Sequence, residues 1–317
     1  MTLDDLRALA AAIKGEVAKT VHGQDEAVDL VLTALFAGSH VLIEGPPGTA
    51  KTLLVQSLAA ALRLDFGRIQ FTPDLMPGDV LGANIYNFST GAFALTKGPV
   101  FTEVLLADEI NRAPPKTQAA LLQAMNERRV TLDGTDYPLG EAFTVIGTQN
   151  PLESQGTYPL PEAQLDRFLF KLLIDFPEAE AEVEILRRSA ERTQTGAPLI
   201  GSNPVVDGEA LIEGRKALAL VRLEEPILRY IVEITRATRS DPDLLEGAST
   251  RAADALAMAA RAAAALDGRD YVLPDDVKKL IPPAYRHRVV VGPTAEIEGR
   301  TADSVLAAIL NRVEAPR

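Results

Sequence analysis

The sequence predicts an α/β fold, a parallel sheet flanked by helices, followed by an all-helical domain. Short runs rich in Val, Ile and Leu, at residues 41–44, 104–107 and 143–148, alternate with longer stretches of helical spacing, as buried parallel strands and their crossover helices do. The first run leads through a Gly/Pro-rich loop into the helical run 53–64, in the order strand, loop, helix. From about Phe176 the character changes, and the chain becomes dominated by Ala, Leu, Glu and Arg with helical periodicity.

These observations divide the 317 residues into two domains, 1–177 and 178–317, in keeping with roughly 100–200 residues per domain. Between the first two strands, residues 70–100 hold seven Gly or Pro residues that interrupt any helix, so a hairpin or protruding loops are expected there. In the second domain, residues 178–192, 207–221, 225–240, 250–266 and 274–284 read as amphipathic helices, with loops at 196–204 and at Gly268. The Ala-rich stretch 252–265 reads as a packed helix rather than a linker.

Composition excludes several function classes. Hydrophobic residues form 47% of the chain and charged residues 24%, which places it among globular proteins rather than disordered ones. With no cysteine there is no disulfide, thiolate metal site or thiol nucleophile. A formal net charge of −12 argues against broad binding to nucleic acid or anionic membrane, which draws its energy from clustered Lys and Arg. The opening segment lacks the basic region and unbroken apolar run of a secretory signal, and no stretch reaches the ~18 apolar residues of a membrane span. A cytoplasmic location is expected.

The chemistry begins at Gly45-Pro46-Pro47-Gly48-Thr49-Ala50-Lys51-Thr52, followed by Leu53. A loop between strand and helix turns backbone N–H groups inward at a helix N-terminus, where the dipole favours an anion. Gly45 and Gly48 permit the turn, Lys51 can reach phosphates, and the Thr52 hydroxyl can ligate Mg²⁺. The position before the lysine is usually Gly in such loops and is Ala50 here; we expect it where helical backbone angles begin, at little cost. The strand 104–107 ends in Asp108 and Glu109, which suits a metal-side acid and a base or water-positioning group. The strand 143–148 ends in Gln149-Asn150-Pro151, placing Asn150 at the sheet's C-terminal edge, able to orient water. Arg167, after Leu165-Asp166, and Arg251, at a helix start where a cation is unfavourable unless it faces an anion, complete the candidates. Arg167 could equally be a structural partner for Asp166 or Glu162.

GPPGTAKT, LLADEINRAPPKTQAALLQAMNERRV, GTQNP, PEAQLDRF and GASTR, in this order, resemble the MoxR family of AAA+ ATPases, nearly end to end. The resemblance implies ATP and Mg²⁺ as cofactors, with Lys51 and Thr52 in Walker A, Asp108 and Glu109 in Walker B, and Asn150 as sensor 1. Arg167 would be an arginine finger acting on a neighbouring subunit's ATP, and Arg251 sensor 2. Arg112, Arg128 and Arg129 are other basic residues on the same core. Gly23 and Gln24, after His22, look like the family's adenine-side segment. Residues 71–100 lie where the family carries an insertion in its second helix, and 128–134 look like the hairpin before sensor 1. The resemblance further implies an AAA+ core with a helical lid and a homo-oligomeric, hexameric ring. Its role would be chaperone-like remodelling or maturation of a protein client, such as metal or cofactor insertion, often beside a von Willebrand factor A domain protein.

Three other functions remain open at this stage. A metal-chelatase ATPase subunit shares the helix-two insertion. A nucleic-acid motor on the same core is disfavoured by the net charge and by aromatics at only 5%. A switch that binds ATP without turnover is disfavoured by the retention of both Asp108 and Glu109. His22, His40 and His287 lack metal-ligand spacing and are expected to be structural.

Overall fold

The structure, a computed structural model, describes residues 1–89, 91–151, 156–195, 203–205 and 208–316. Two helices come first, α1 (Leu3–Val17) and α2 (Asp25–Phe36). Thr2 caps α1 by accepting the Asp5 N–H, while Asp5 returns a bond to the Thr2 N–H, so two orphan donors are satisfied reciprocally.

The core then alternates strand and helix: β1 (His40–Glu44), α3 (Lys51–Ala61), β2 (Phe66–Gln70), α4 (Pro77–Leu81), β3 (Gly82–Asn87), β4 (Ala92–Lys97) and β5 (Val104–Asp108). It continues through α5 (Pro115–Glu127), β6 (Arg129–Leu132), β7 (Thr135–Pro138), β8 (Thr144–Gln149), α6 (Glu162–Leu165) and β9 (Phe168–Leu173). Five strands form one parallel sheet in the order β2-β5-β8-β1-β9. The three strands expected from sequence are its three central ones, β5, β8 and β1, where burial on both faces favours runs rich in Val, Ile and Leu. The two edge strands carry a weaker signal. In β2 only Ile69 is buried, which gives no apolar run, and β9 reads as an apolar stretch after the short helix α6.

The Gly/Pro-broken segment holds α4 and the antiparallel hairpin β3–β4, and residues 129–138 form a second hairpin, β6–β7. The two hairpins touch, Asn84 Nδ2 donating to Asp133 Oδ2 at 2.7 Å.

Beyond the sheet come α7 (Ala179–Thr195), α8 (Gly208–Ala217), α9 (Glu225–Ser240), β10 (Leu244–Glu246), α10 (Thr250–Leu266), α11 (Pro274–Tyr285), β11 (Val290–Val291), α12 (Pro293–Ile297) and α13 (Ala302–Arg312). The expected helix at 207–221 stops at Ala217, and a short 3₁₀ turn follows at Leu218–Leu220. Asp207 and residues 196–202 of the expected loop lie outside the described residues. In α9, Ile227, Tyr230, Ile231 and Ile234 recur at helical spacing and are buried, each contributing roughly 1.5–3 kcal/mol of hydrophobic stabilisation. Ala252, Ala259, Ala260, Ala262, Ala264 and Ala265 of α10 are buried and let that helix, predicted as a packed one, lie closely on α1, α2 and α11.

Candidate nucleotide site

Parallel pairing brings the C-terminal ends of the central strands to one edge of the sheet, where ligands bind in open α/β folds. The register sets Gln70 of β2 opposite Asp108 of β5. Thr148 stands one residue beyond the Ala107–Gly147 pair and itself pairs with Ile43 of β1. The loop 45–50 leaves β1 at the same edge, and a cleft of about 420 Å³ opens between them. Pro47, Gly48, Thr49, Ala50, Lys51, Thr52, Leu53, Asp108, Glu109 and Asn150 all line it. These sequence-predicted residues therefore meet in one place.

The loop is tightly built. A Cβ at Gly45 would lie 2.2 Å from the Ile174 carbonyl oxygen, so glycine is required there by close approach of the chain leaving β9. Gly48 has φ +88°, with open space around it, so its requirement is conformational. Lys51 Nζ donates to the carbonyls of Gly45 (2.9 Å) and Pro46 (2.6 Å) and to Thr49 Oγ1 (3.3 Å), which folds the cation over the loop. Burial lowers the Lys51 pKa, against the opposing pull of Asp108 and Glu109.

Ala50 corrects an expectation. Its backbone is left-handed, φ 60° and ψ 20°, rather than helical, because the chain must reverse hand before α3 begins at Lys51. A side chain in that region is strained, which is the physical reason glycine is usual there.

Both acids are held by partners that, Arg112 apart, the sequence does not single out. Asp108 Oδ1 accepts from Thr148 Oγ1 at 2.6 Å and Oδ2 from Arg68 Nη2 at 2.7 Å. Glu109, itself left-handed at φ 55°, accepts at Oε2 from Gln70 Nε2 (2.7 Å) and Arg112 Nη1 (2.9 Å). Its N–H donates to Thr148 Oγ1 at 2.9 Å. Arg68 and Gln70 follow only from the register of β2, which has no apolar signal, whereas Thr148 ends the strand 143–148 and its role follows from the pairing of that strand beside Asp108. Hard oxygen donors, the Thr52 hydroxyl and the Asp108 carboxylate, face the cleft and fit Mg²⁺. Among the described residues no three acidic, His or Cys side chains gather into a metal site, so such an ion would draw its remaining ligands from phosphates and water.

Gly23 and Gln24 lie in a second depression, of about 360 Å³, shared with Leu172 and Leu173 at the end of β9 and with Lys279 and Pro282 of α11. Gln24 Nε2 donates to the Asp175 carbonyl at 3.0 Å. Leu172 and Leu173 belong to β9, which pairs with β1, the strand that leads into the phosphate loop.

The two arginines are not in the cleft. Arg167 precedes β9, which runs beside β1 with Phe168 opposite His40, so it stands at the other end of the sheet, roughly 15 Å from the loop of its own chain. Its Nη1 donates to the Leu122 carbonyl at 2.7 Å, in place of a pairing with Asp166 or Glu162. Arg251 follows the N-cap Ser249 of α10 and lies 3.5 Å from Asp166, so the anion it faces is that carboxylate. Asp166 is also gripped by the buried Arg288, at 2.6 Å. Arg112 pairs with Glu109, Arg129 with Glu127 and Asp136, and Arg128 with the Gly38 and Glu141 carbonyls.

Comparison with known proteins gives a consistent picture. The family described as "ATPase family associated with various cellular activities (AAA)" matches residues 40–170, and the AAA lid domain matches 236–309. The chain is 40% identical to a protein named Chaperone MoxR1 from Mycobacterium tuberculosis, over 95% of this chain and 81% of that one. It is 43% identical to an uncharacterized protein, YeaC, of Bacillus subtilis, over 99% and 97%. Among solved structures, a putative ATPase from Cytophaga hutchinsonii superposes with a TM-score of 0.91 at 40% identity, covering 99% of this chain and 97% of the other.

Proposed function

The chain belongs to the MoxR family of AAA+ ATPases and is an ATPase, and we propose that it hydrolyses MgATP within a ring of its own copies to remodel or mature a protein client. The observation that carries this reading is the convergence of Lys51, Thr52, Asp108, Glu109 and Asn150 on one cleft at the C-terminal edge of the sheet.

In that cleft the N–H groups of the loop and Lys51 bind the phosphates, and Gly23 and Gln24 take the adenine side. Thr52 and Asp108 would hold Mg²⁺, which would supply positive charge to offset the charge developing on the phosphates. Glu109 orients and deprotonates the attacking water, and Asn150 fixes that water against the terminal phosphate. Phosphoryl transfer needs positioning and charge stabilisation more than covalent help, so this set is sufficient from one chain except for a cation over the outgoing charge. Arg167 and Arg251 supply it from a neighbouring copy. The placement of both near Asp166, at the end of the sheet away from their own cleft, supports action between subunits.

The chaperone name of the mycobacterial relative supports a protein client. The finer assignments are a hexamer, residues 178–317 as lid, metal or cofactor insertion, a von Willebrand factor A domain partner and a cytoplasmic location. They rest on the family resemblance. No helix among the described residues is long and apolar enough to cross a membrane.

The test is ATP hydrolysis across a protein concentration series, with light scattering in the presence of MgATP. Turnover should rise with assembly and be lost in Glu109→Gln while ATP still binds. Mixing Lys51→Ala with Arg167→Ala, each inactive alone, should restore turnover by forming intact sites between subunits. A monomer with concentration-independent activity overturns the ring mechanism.

A further inference from the structure

We propose that Arg68 is a displaceable counter-ion for Asp108, occupying the carboxylate oxygen that a divalent cation would take and leaving it when the metal arrives. The inference rests on the nucleotide reading of the cleft given above.

Each oxygen of Asp108 is engaged, but the two partners differ in how freely they can leave. Thr148, at Oδ1, is buried and accepts the Glu109 N–H with the same hydroxyl that it donates. Removing it strands a backbone donor and a carboxylate oxygen together. Arg68, at Oδ2, is 47% exposed on its side chain and springs from the edge strand β2, so its guanidinium can swing into solvent, leaving Oδ2 of the largely buried Asp108 open to an incoming cation. With its cationic partner half in solvent, this pair is screened and exchanges more readily than a fully buried one. Lys51, the other basic side chain lining the cleft, is engaged by loop oxygens instead. Oδ2 is therefore the releasable oxygen and Arg68 the group that releases it.

The position has a second consequence. Arg68 Nη2 also lies 3.3 Å from Gln70 Oε1, and Gln70 Nε2 donates to Glu109 Oε2. One guanidinium thus touches the metal-side acid and the amide that restrains Glu109. Its departure removes the bond that orients Gln70, so arrival of the metal is passed to Glu109. Arg68 acts through these residues and is a positioning residue.

The experiment is fluorescence titration of a non-hydrolysable fluorescent ATP analogue at a series of free Mg²⁺ concentrations, on the wild type and on Arg68→Gln, Arg68→Lys, Asp108→Asn and the Arg68→Gln/Asp108→Asn pair. Arg68→Gln should lower the half-saturating Mg²⁺ concentration by on the order of fivefold, since a competing cation is gone. Arg68→Lys should stay within about twofold of the wild type, because a cation is retained. In the Asp108→Asn background the Arg68 substitution should add nothing. A wild type whose Mg²⁺ dependence is abolished by Asp108→Asn, with Arg68→Gln unchanged or shifted upward, overturns the inference alone. A Mg²⁺ dependence that Asp108→Asn leaves intact overturns the metal-site reading itself, and the inference with it.

Discussion

Thr148 and Asp108 are joined at 2.6 Å across adjacent parallel strands, and the same threonine oxygen accepts the Glu109 N–H. One buried hydroxyl thereby fixes the carboxylate of one acid and the backbone of the next. Thr148→Val keeps the shape and removes both bonds, leaving a buried acceptor and a buried donor unsatisfied. We expect a loss of about 2 kcal/mol or more in denaturant unfolding, together with reduced ATP turnover, and near-complete retention in Thr148→Ser. A valine variant equal to the wild type in both measurements contradicts this role.

The two loop glycines should respond differently to alanine. Gly45→Ala drives a Cβ into the Ile174 carbonyl, a backbone atom that cannot give way without moving the end of β9. Gly48→Ala meets nothing within 4 Å and suffers only its φ of +88°. The cost at Gly48 should be of order 1–3 kcal/mol and that at Gly45 larger, with nucleotide binding lost at Gly45. Thermal melts and nucleotide titration of both variants decide it, and the reverse ranking refutes the steric account.

Ala50→Gly should stabilise the protein. Relief of the left-handed strain outweighs the extra freedom glycine gives the unfolded chain, for a net gain of up to about 1 kcal/mol in denaturant unfolding. Destabilisation would mean that the alanine methyl is held by contacts worth more than its strain.

Much of this molecule is legible in the sequence because burial on two faces writes an unmistakable pattern. The runs that form β1, β5 and β8 are buried and rich in Val, Ile and Leu, and their ends mark the cleft. The half-exposed edge strand β2 writes no such pattern, so Arg68 and Gln70, which reach the acids only through its register, stayed hidden. The left-handed backbone of Ala50 escapes the sequence for another reason. Backbone hand is set by the requirement to pass from loop to helix within one residue, and no side-chain property of alanine announces it. Arg251 was expected to face an anion, and Asp166 is that anion, but the distance of both from their own cleft depends on the packing of the helical region against β9, which local spacing does not encode.

His40 gives the protein a pH limit. It is buried at the start of β1, where Nδ1 accepts the Val145 N–H at 2.9 Å and Nε2 faces the Met125 carbonyl at 3.3 Å, an arrangement that fits only the neutral ring with its proton on Nε2. Burial pushes its pKa down to about 4, the hydrogen bond to Met125 works in the opposite direction, and the nearby Arg128 and Arg215 push it further down. His287, also buried and beside Arg288, is likewise held well below its ordinary value. Since the folded value lies below the unfolded one of about 6.5, the unfolded chain takes up protons first as pH falls. The stability is fully present above about pH 6.5 and is lost progressively down to about pH 4, His40 accounting for about 3 kcal/mol of it. Denaturant unfolding between pH 7 and 5 should show a decline of up to about 1.4 kcal/mol per pH unit for each histidine. His40→Gln, whose side-chain oxygen can accept the Val145 N–H and whose amide can donate to Met125, should remove one histidine's share of that slope, whatever its stability at pH 7. An unchanged slope in that variant would show that His40 is not the group being protonated.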